Sequence, residues 1–157
     1  GNISEMKTIH SGSGTTKGVD ADISDAVTEE TLEATVAFAK RLADRNEAVI
    51  AITGAIDIVA DRDKAYIIRN GHPQMAKVSG TGCMLSGLIA AYCGANPEQL
   101  LDAPAAAVCL MGVSGELAYE RMIRNAAGTS SYRSYLIDEI SKMSAEKLEG
   151  GAKIENR

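Results

Sequence analysis

One stretch constrains this chain more than any other: Ala48-Val49-Ile50-Ala51-Ile52-Thr53, an unbroken apolar and largely β-branched run that stops at Gly54. The run is short for a helix and too uniformly apolar for a strand with one wet face. It therefore reads as a strand covered on both sides, as in a parallel sheet. It follows a segment of helical period in which Leu32, Val36, Ala39 and Leu42 or Ala43 recur, with Thr28 as cap and Glu29 and Glu30 in the first turn. That helix should end near Asn46. Helix followed by buried strand is the order of an α/β protein. Residues 57–60 and 65–68 then read as two short strands about Asp61-Arg62-Asp63-Lys64, a β-hairpin, before Asn70-Gly71-His72-Pro73 breaks the pattern.

The flanking segments extend this reading. Gly1 to Ile9 has the look of an opening helix capped by Asn2 or Ser4, with no strand ahead of it, so either a trimmed terminus precedes an intact domain or, the favoured expectation, an N-terminal part of the fold is missing. The glycines and hydroxyls from Ser11 to Gly18 favour a loop able to close over a ligand. Ser79-Gly80-Thr81-Gly82-Cys83 leads into a helix carrying Met84, Leu85, Leu88, Ile89 and Tyr92 on one face and ending near Gly94. Asn96 and Pro97 should open another helix, in which Ala105, Ala106, Ala107, Gly112, Ser114 and Gly115 allow close backbone approach and Pro104 is a point to kink or split. Ser130 or Ser131 should cap a last helix with Tyr132, Leu136, Ile140 and Met143 inward. No repeat or linker divides residues 1–144, which read as one domain portion, and residues 145–157 read as a polar, poorly ordered tail.

Composition removes several function classes. With 16 basic and 21 acidic residues, a formal charge of −5, nothing global attracts DNA or RNA, so any phosphate must be held locally. The 3 cysteines, Cys83, Cys93 and Cys109, form no C-x-x-C pair, which argues against a disulfide frame or zinc site and for a reducing cytoplasm. Apolar runs are broken by Gly, Pro or charge before reaching transmembrane length, so no membrane partner is expected.

Chemistry should gather at Gly80-Thr81-Gly82-Cys83. Unpaired N–H groups at a helix start, backed by the helix dipole, hold a phosphate without a basic side chain, and glycines let the backbone approach it. Glycine-rich helix starts are also ordinary turns, and the chain has neither G-x-x-x-x-G-K-[ST] nor G-x-G-x-x-G. Cys83 reads either as a thiol of lowered pKa near the site or as small filler. Asn2-x-x-Glu5 offers an amide and a carboxylate suited to Mg²⁺ or water, against the plainer reading of a solvated face. Thr53 lies at a strand's carboxyl end, where α/β sheets gather ligands, or it caps its own turn. Asp57 reads as a turn residue rather than a catalytic acid. His10 and His72 lack ligand spacing and read as structural or surface residues.

In order along the chain, Gly1-Asn2-Ile3-Ser4-Glu5, Thr16-Lys17-Gly18-Val19-Asp20, Ala51-Ile52-Thr53-Gly54, Asn70-Gly71-His72-Pro73, Val78-Ser79-Gly80-Thr81-Gly82-Cys83 and Gly128-Thr129-Ser130-Ser131-Tyr132 resemble the hydroxyethylthiazole kinases. The discriminating element is Gly-Thr-Gly-Cys, since most ribokinase-like relatives carry aspartate where Cys83 stands. The resemblance implies a ribokinase-like three-layer α/β/α fold, here its C-terminal portion. It implies a cytoplasmic homotrimer with active sites at subunit interfaces, using ATP and Mg²⁺ to phosphorylate 4-methyl-5-(2-hydroxyethyl)thiazole in thiamine biosynthesis or salvage. It further implies that Thr53 and Asn2 bind ATP, Glu5 serves the metal, Gly80 and Cys83 face the substrate, and Gly80, Thr81, Gly82 and Cys83 form the anion hole. Cys83, a weak base for an alcohol, is expected to position the hydroxyl or assist late. The portion preceding Gly1 in the family supplies further strands, an acidic residue near the metal, an arginine beside ATP and much of the thiazole pocket, so this chain by itself should be incomplete. The alternatives are another small-alcohol kinase of the hydroxymethylpyrimidine type, or a non-catalytic nucleotide-binding or assembly fragment.

Overall fold

Asn2 caps α1 (Ile3–Ser11): its side-chain oxygen accepts from Glu5 N–H at 2.9 Å, and Glu5 Oε2 accepts from Asn2 N–H at 2.7 Å. This reciprocal box ties off two of the donors that every helix start leaves unpaired. The computed structural model describes residues 1–12 and 26–157. The loop expected from Ser11 to Gly18 and the Thr16–Asp20 motif thus lie largely or wholly outside the described residues. The described chain forms two units, Gly1–Ile67 with Glu155–Arg157, and Ile68–Ile154.

In the first unit α2 (Leu32–Asn46) ends where expected and buries Leu32, Val36, Ala39, Leu42 and Ala43. It begins later than the Thr28 cap implied. Thr28 and Thr31 hydrogen-bond each other in a preceding turn, Thr28 N–H reaching Thr31 Oγ1 at 2.9 Å, so Glu29 and Glu30 belong to that turn and Glu33 to the first helical one. Strands β1 (Ile50–Ile52), β2 (Asp57–Ala60), β3 (Ala65–Ile68) and β4 (Ile154–Asn156) form a sheet in that order. The hairpin strands β2 and β3 fall where they were expected, and Asp61 Oδ1 shapes their turn by accepting from Asp63 and Lys64 N–H at 2.8 and 2.6 Å.

The character of β1 differs from the expectation. It pairs antiparallel with β2, Ala51 opposite Val59, and only Ile52 of its three residues is fully buried. Its parallel contact is a single bridge between Asn2 and Thr53. An apolar run reports burial more directly than strand direction, which depends on a partner the run does not encode. Ile52, Ile58, Ala60, Ala65 and Ile67 pack with Ile3, Leu32, Val36 and Ala39 as one core. Each isoleucine sealed there contributes roughly 1.5–3 kcal/mol relative to exposure.

The second unit is helical. Pro73–Lys77 is a short 3-10 helix, followed by α3 (Thr81–Ala95), α4 (Asp102–Arg124), α5 (Thr129–Ser141) and α6 (Ala145–Gly151). On α3 the expected face is the better-covered one, though only Leu85 is fully buried. Helix α4 starts at Asp102 rather than at Pro97, which leaves Pro104 in the first turn, where its missing N–H costs nothing and no split arises. Its small residues do admit close neighbours. A Cβ on Gly112 would lie 2.5 Å from Asn70 Cβ, and one on Gly115 would collide with Met75 Sδ. Gly128, not Ser130 or Ser131, is the N-cap of α5, and no side-chain bond caps it. Tyr132 and Leu136 are fully buried as expected, and Tyr132 Oη donates to Gly115 O at 3.1 Å. With that phenol surrounded by protein, burial pushes its pKa up to about 12.

The expectation of a poorly ordered tail is corrected. Ser144 caps α6, its side chain accepting from Lys147 N–H at 3.3 Å. Just past β4, Arg157 and Ala65 exchange both main-chain hydrogen bonds, Arg157 N–H to Ala65 O at 2.8 Å and Ala65 N–H to Arg157 O at 2.7 Å. Arg157 also pairs with Glu33 of α2, and Lys40 Nζ donates to Arg157 O at 3.2 Å. Polar side chains misled because an edge strand needs main-chain pairing rather than apolar content.

Candidate functional site

Two groups of expected site residues emerge, one in each unit. In the first unit the carboxyl end of β1 meets the start of α1. Thr53 N–H donates to Gly1 O at 2.9 Å, which sets Thr53 beside Asn2 and its capping partner Glu5. The next N–H, that of Gly54, donates to Asp57 Oδ1 at 2.8 Å, so Asp57, the first residue of β2, closes the preceding turn with its side chain. Burial pushes its carboxyl up to about 7, against the opposing pull of the Gly54 hydrogen bond and the amino group of residue 1. Asp57 retains some exposed surface, so this reflects the protein packed about its carboxyl rather than full enclosure.

The structure thus brings Asn2, Glu5 and Thr53 together and adds Asp57. Asn2 Oδ1 and Glu5 Oε2 are committed to the capping box, which leaves Glu5 Oε1 outside it. One carboxylate oxygen with its partner already held by a backbone donor is compatible with Mg²⁺, which takes one or two carboxylates and keeps waters and phosphate oxygens as its other ligands. No group of three or more His, Cys, Asp or Glu able to hold a metal occurs among the described residues.

In the second unit Gly80 holds φ +93°, ψ 4°, a left-handed conformation that glycine adopts without penalty, and Met84 N–H closes the first helical bond to its carbonyl at 2.9 Å. The N–H groups of Thr81, Gly82 and Cys83 therefore lie in the first turn of α3, and among the described residues no side chain caps them. A Cβ at Gly80 or Gly82 would meet nothing within 4 Å, so the backbone can be approached closely, and Cys83 is exposed. Helix starts of this kind, with first-turn donors at the positive end of a 15-residue helix, are suited to an anion. The exposure of Cys83 disfavours the filler reading.

Sequence reasoning missed a polar network behind Asn70-Gly71-His72-Pro73. Asn70 is buried; its Nδ2 donates to Gly151 O at 2.9 Å and Glu116 Oε1 at 3.2 Å, and its Oδ1 accepts from Lys153 N–H at 2.7 Å. Glu116 Oε1 accepts from Gly71 N–H at 2.9 Å, and Oε2 from Lys153 Nζ at 2.9 Å. Burial alone would raise the Glu116 carboxyl, but the bonds from Lys153, Gly71 and Asn70 outweigh it and hold it below the ordinary carboxylate range. His72 accepts from Gln74 N–H through Nδ1 and stacks on Tyr119, 3.5 Å between ring centres, while Gln74 Nε2 donates to Thr129 Oγ1 at 3.1 Å. His72 is thus structural, as is His10, edge-on to Phe38 at 5.4 Å. The Asn-Gly step was a visible signal, but its partners lie 45 and more residues away along the chain.

Helices with a four-stranded sheet make this an α/β protein, and its likeness to a solved structure is consistent with a ribokinase-like fold. The family comparisons make that specific. The chain belongs to the hydroxyethylthiazole kinase family, whose model matches residues 1–146. It is 52% identical over 156 residues to hydroxyethylthiazole kinase of Clostridium acetobutylicum, covering 99% of this chain and 57% of that protein. It is 38% identical to the Clostridium tetani enzyme of the same name, covering 99% of this chain and 55% of that protein. A solved structure of hydroxyethylthiazole kinase protein from Pyrococcus horikoshii OT3 superposes with TM-score 0.72 at 27% identity, covering 82% of this chain and 48% of that one. The chain spans somewhat more than half the length of these curated relatives.

Proposed function

We propose that the complete gene product transfers the γ-phosphoryl group of ATP to the hydroxyethyl oxygen of 4-methyl-5-(2-hydroxyethyl)thiazole, and that residues 1–144 carry the C-terminal portion of its kinase domain. The observation that carries this reading is the uncapped start of α3 at Gly80–Cys83 in a chain of this family. Phosphoryl transfer depends mainly on positioning and on neutralising charge, which outward N–H groups and a helix dipole supply. Gly80, Thr81, Gly82 and Cys83 hold the migrating phosphoryl group. Gly80 and Cys83 also contact the alcohol. Thr53 and Asn2 contribute to ATP binding, and Glu5 is the residue that would hold Mg²⁺, which when bound supplies positive charge to the phosphates. Cys83 orients the hydroxyl rather than removing its proton early, since a thiol is a poor base for an alcohol.

The assembly is a cytoplasmic homotrimer with sites at subunit interfaces; among the described residues no helix is long and apolar enough to cross a membrane. The 52% identity to a thiazole kinase favours this acceptor over a pyrimidine alcohol. Labelled ATP offered to the purified complete gene product with either alcohol tests the reading. Label should pass to the thiazole alcohol alone, and Cys83→Ser should keep measurable turnover. Transfer to the pyrimidine alcohol instead overturns the substrate, and abolition of turnover in Cys83→Ser with unchanged binding overturns the role given to Cys83.

A further inference from the structure

We infer that Asp57 is a positioning residue for the nucleotide: its carboxyl oxygen fixes the Thr53–Gly54 turn and so aims Thr53. The inference rests on the reading above that Thr53 binds ATP. Thr53 is held from both sides by consecutive peptide donors. Its own N–H is tied to Gly1 O at 2.9 Å, and the N–H of Gly54 is tied to Asp57 Oδ1 at 2.8 Å. Because the peptide unit is planar, fixing the Gly54 N–H fixes the plane that follows Thr53, and with it the second of the two backbone angles that direct the Thr53 side chain.

Among the described residues, this bond to Asp57 is the contact found on that plane. Gly54 is exposed, and a Cβ there would meet only Ile56 O, at 3.7 Å, so side-chain packing does not steady the turn. The anchor itself is firm. Asp57 is the first residue of β2, and its neighbour Ile58 is fully buried. Burial already penalises a charge on this carboxyl. The turn therefore uses it as an oxygen acceptor, which an amide can imitate.

The test measures kcat and separate KM values for ATP and the thiazole alcohol in the complete gene product. Asp57→Asn keeps the acceptor and should leave KM for ATP within about twofold, whereas Asp57→Ser, too short to reach, should raise it about tenfold, the worth of one hydrogen bond. KM for the alcohol should stay within about twofold in both, a split that general loss of structure would not give. Should Asp57→Ser fail to fold, Gly54→Pro removes the donor instead and should raise KM for ATP alike. Thr53→Val is the separate arm for the underlying reading. If it raises KM for ATP while Asp57→Ser or Gly54→Pro does not, the positioning role falls and the Thr53 reading stands; if Thr53→Val leaves KM for ATP unchanged, both fall. Equal loss of kcat in Asp57→Asn and Asp57→Ser overturns positioning in favour of acid–base chemistry.

Discussion

Gly112→Ala sets two effects of opposite sign against each other, and the geometry decides between them. In the middle of a 23-residue helix, alanine in place of glycine is worth about 1 kcal/mol in helix propensity. Against that, the new Cβ would stand 2.5 Å from Asn70 Cβ and 2.8 Å from its carbonyl carbon. Ordinary carbon contacts lie at about 3.5–4.0 Å, so the two backbones would have to part by about 1 Å. Asn70 cannot follow freely, because it is tied at 2.9 Å to Gly151 O and at 2.7 Å to Lys153 N–H. Overpacking of this kind costs about 1–3 kcal/mol, and losing one buried hydrogen bond adds about 1–3 kcal/mol. The net expectation is a loss of about 1–5 kcal/mol. Gly87→Ala in α3 supplies the control: a Cβ there meets nothing within 4 Å, so the propensity term stands alone, a gain of about 0.5–1 kcal/mol. Urea unfolding of the 157-residue chain followed by circular dichroism reads both. Gly112→Ala as stable as the parent would refute the reasoning, since it would mean that the α4–Asn70 contact yields at no cost.

Asp57→Asn should change how stability depends on pH. The native carboxyl, at about 7 against an ordinary 3.8, keeps its proton after the unfolded chain has lost it, so parental stability falls as pH rises from about 4 to 7 and is level above. The variant lacks that fall, and its advantage should grow by about 2–4 kcal/mol across the window and then stay constant; thermal melts at pH 4 and 8 that differ equally for both proteins would contradict this. Tyr132→Phe should lose about 1 kcal/mol in urea titrations, the worth of its bond to Gly115 O, with no effect expected from charge because the phenol is neutral throughout the working range. Ser114 is fully buried, and its hydroxyl has no hydrogen-bond partner among the described residues. Ser114→Ala should therefore raise stability by about 0.5–2 kcal/mol, and a lower unfolding midpoint would show that the hydroxyl has a partner.

Much of the fold was legible because its signals are local. The box of Asn2 and Glu5, the buried stripe of α2 and the strands on either side of Asp61–Lys64 each follow from residues within a few positions of one another. So does the glycine turn that opens α3 at Gly80. What sequence could not supply was the identity of distant partners. The direction of β1 depends on β2 and on residue 1; Asn70 is buried only because Glu116, Gly151 and Lys153 come to meet it. The pairing of Asn2 with Thr53 likewise joins positions whose relation no spacing reveals, and Asp57 gained its importance only once the Gly54 N–H was seen to point at it.

The final strand has a practical bearing on how this protein can be handled. Residues 65–68, Ala-Tyr-Ile-Ile, make a sticky ribbon, and the chain's last few residues are what shield its outer rim. Trimming them, or fusing a bulky label directly to Arg157, would uncover main-chain groups on an apolar strand and invite copies to stack edge to edge. The charged ending thus acts as a guard against self-association, and its removal should show first as turbidity in solution.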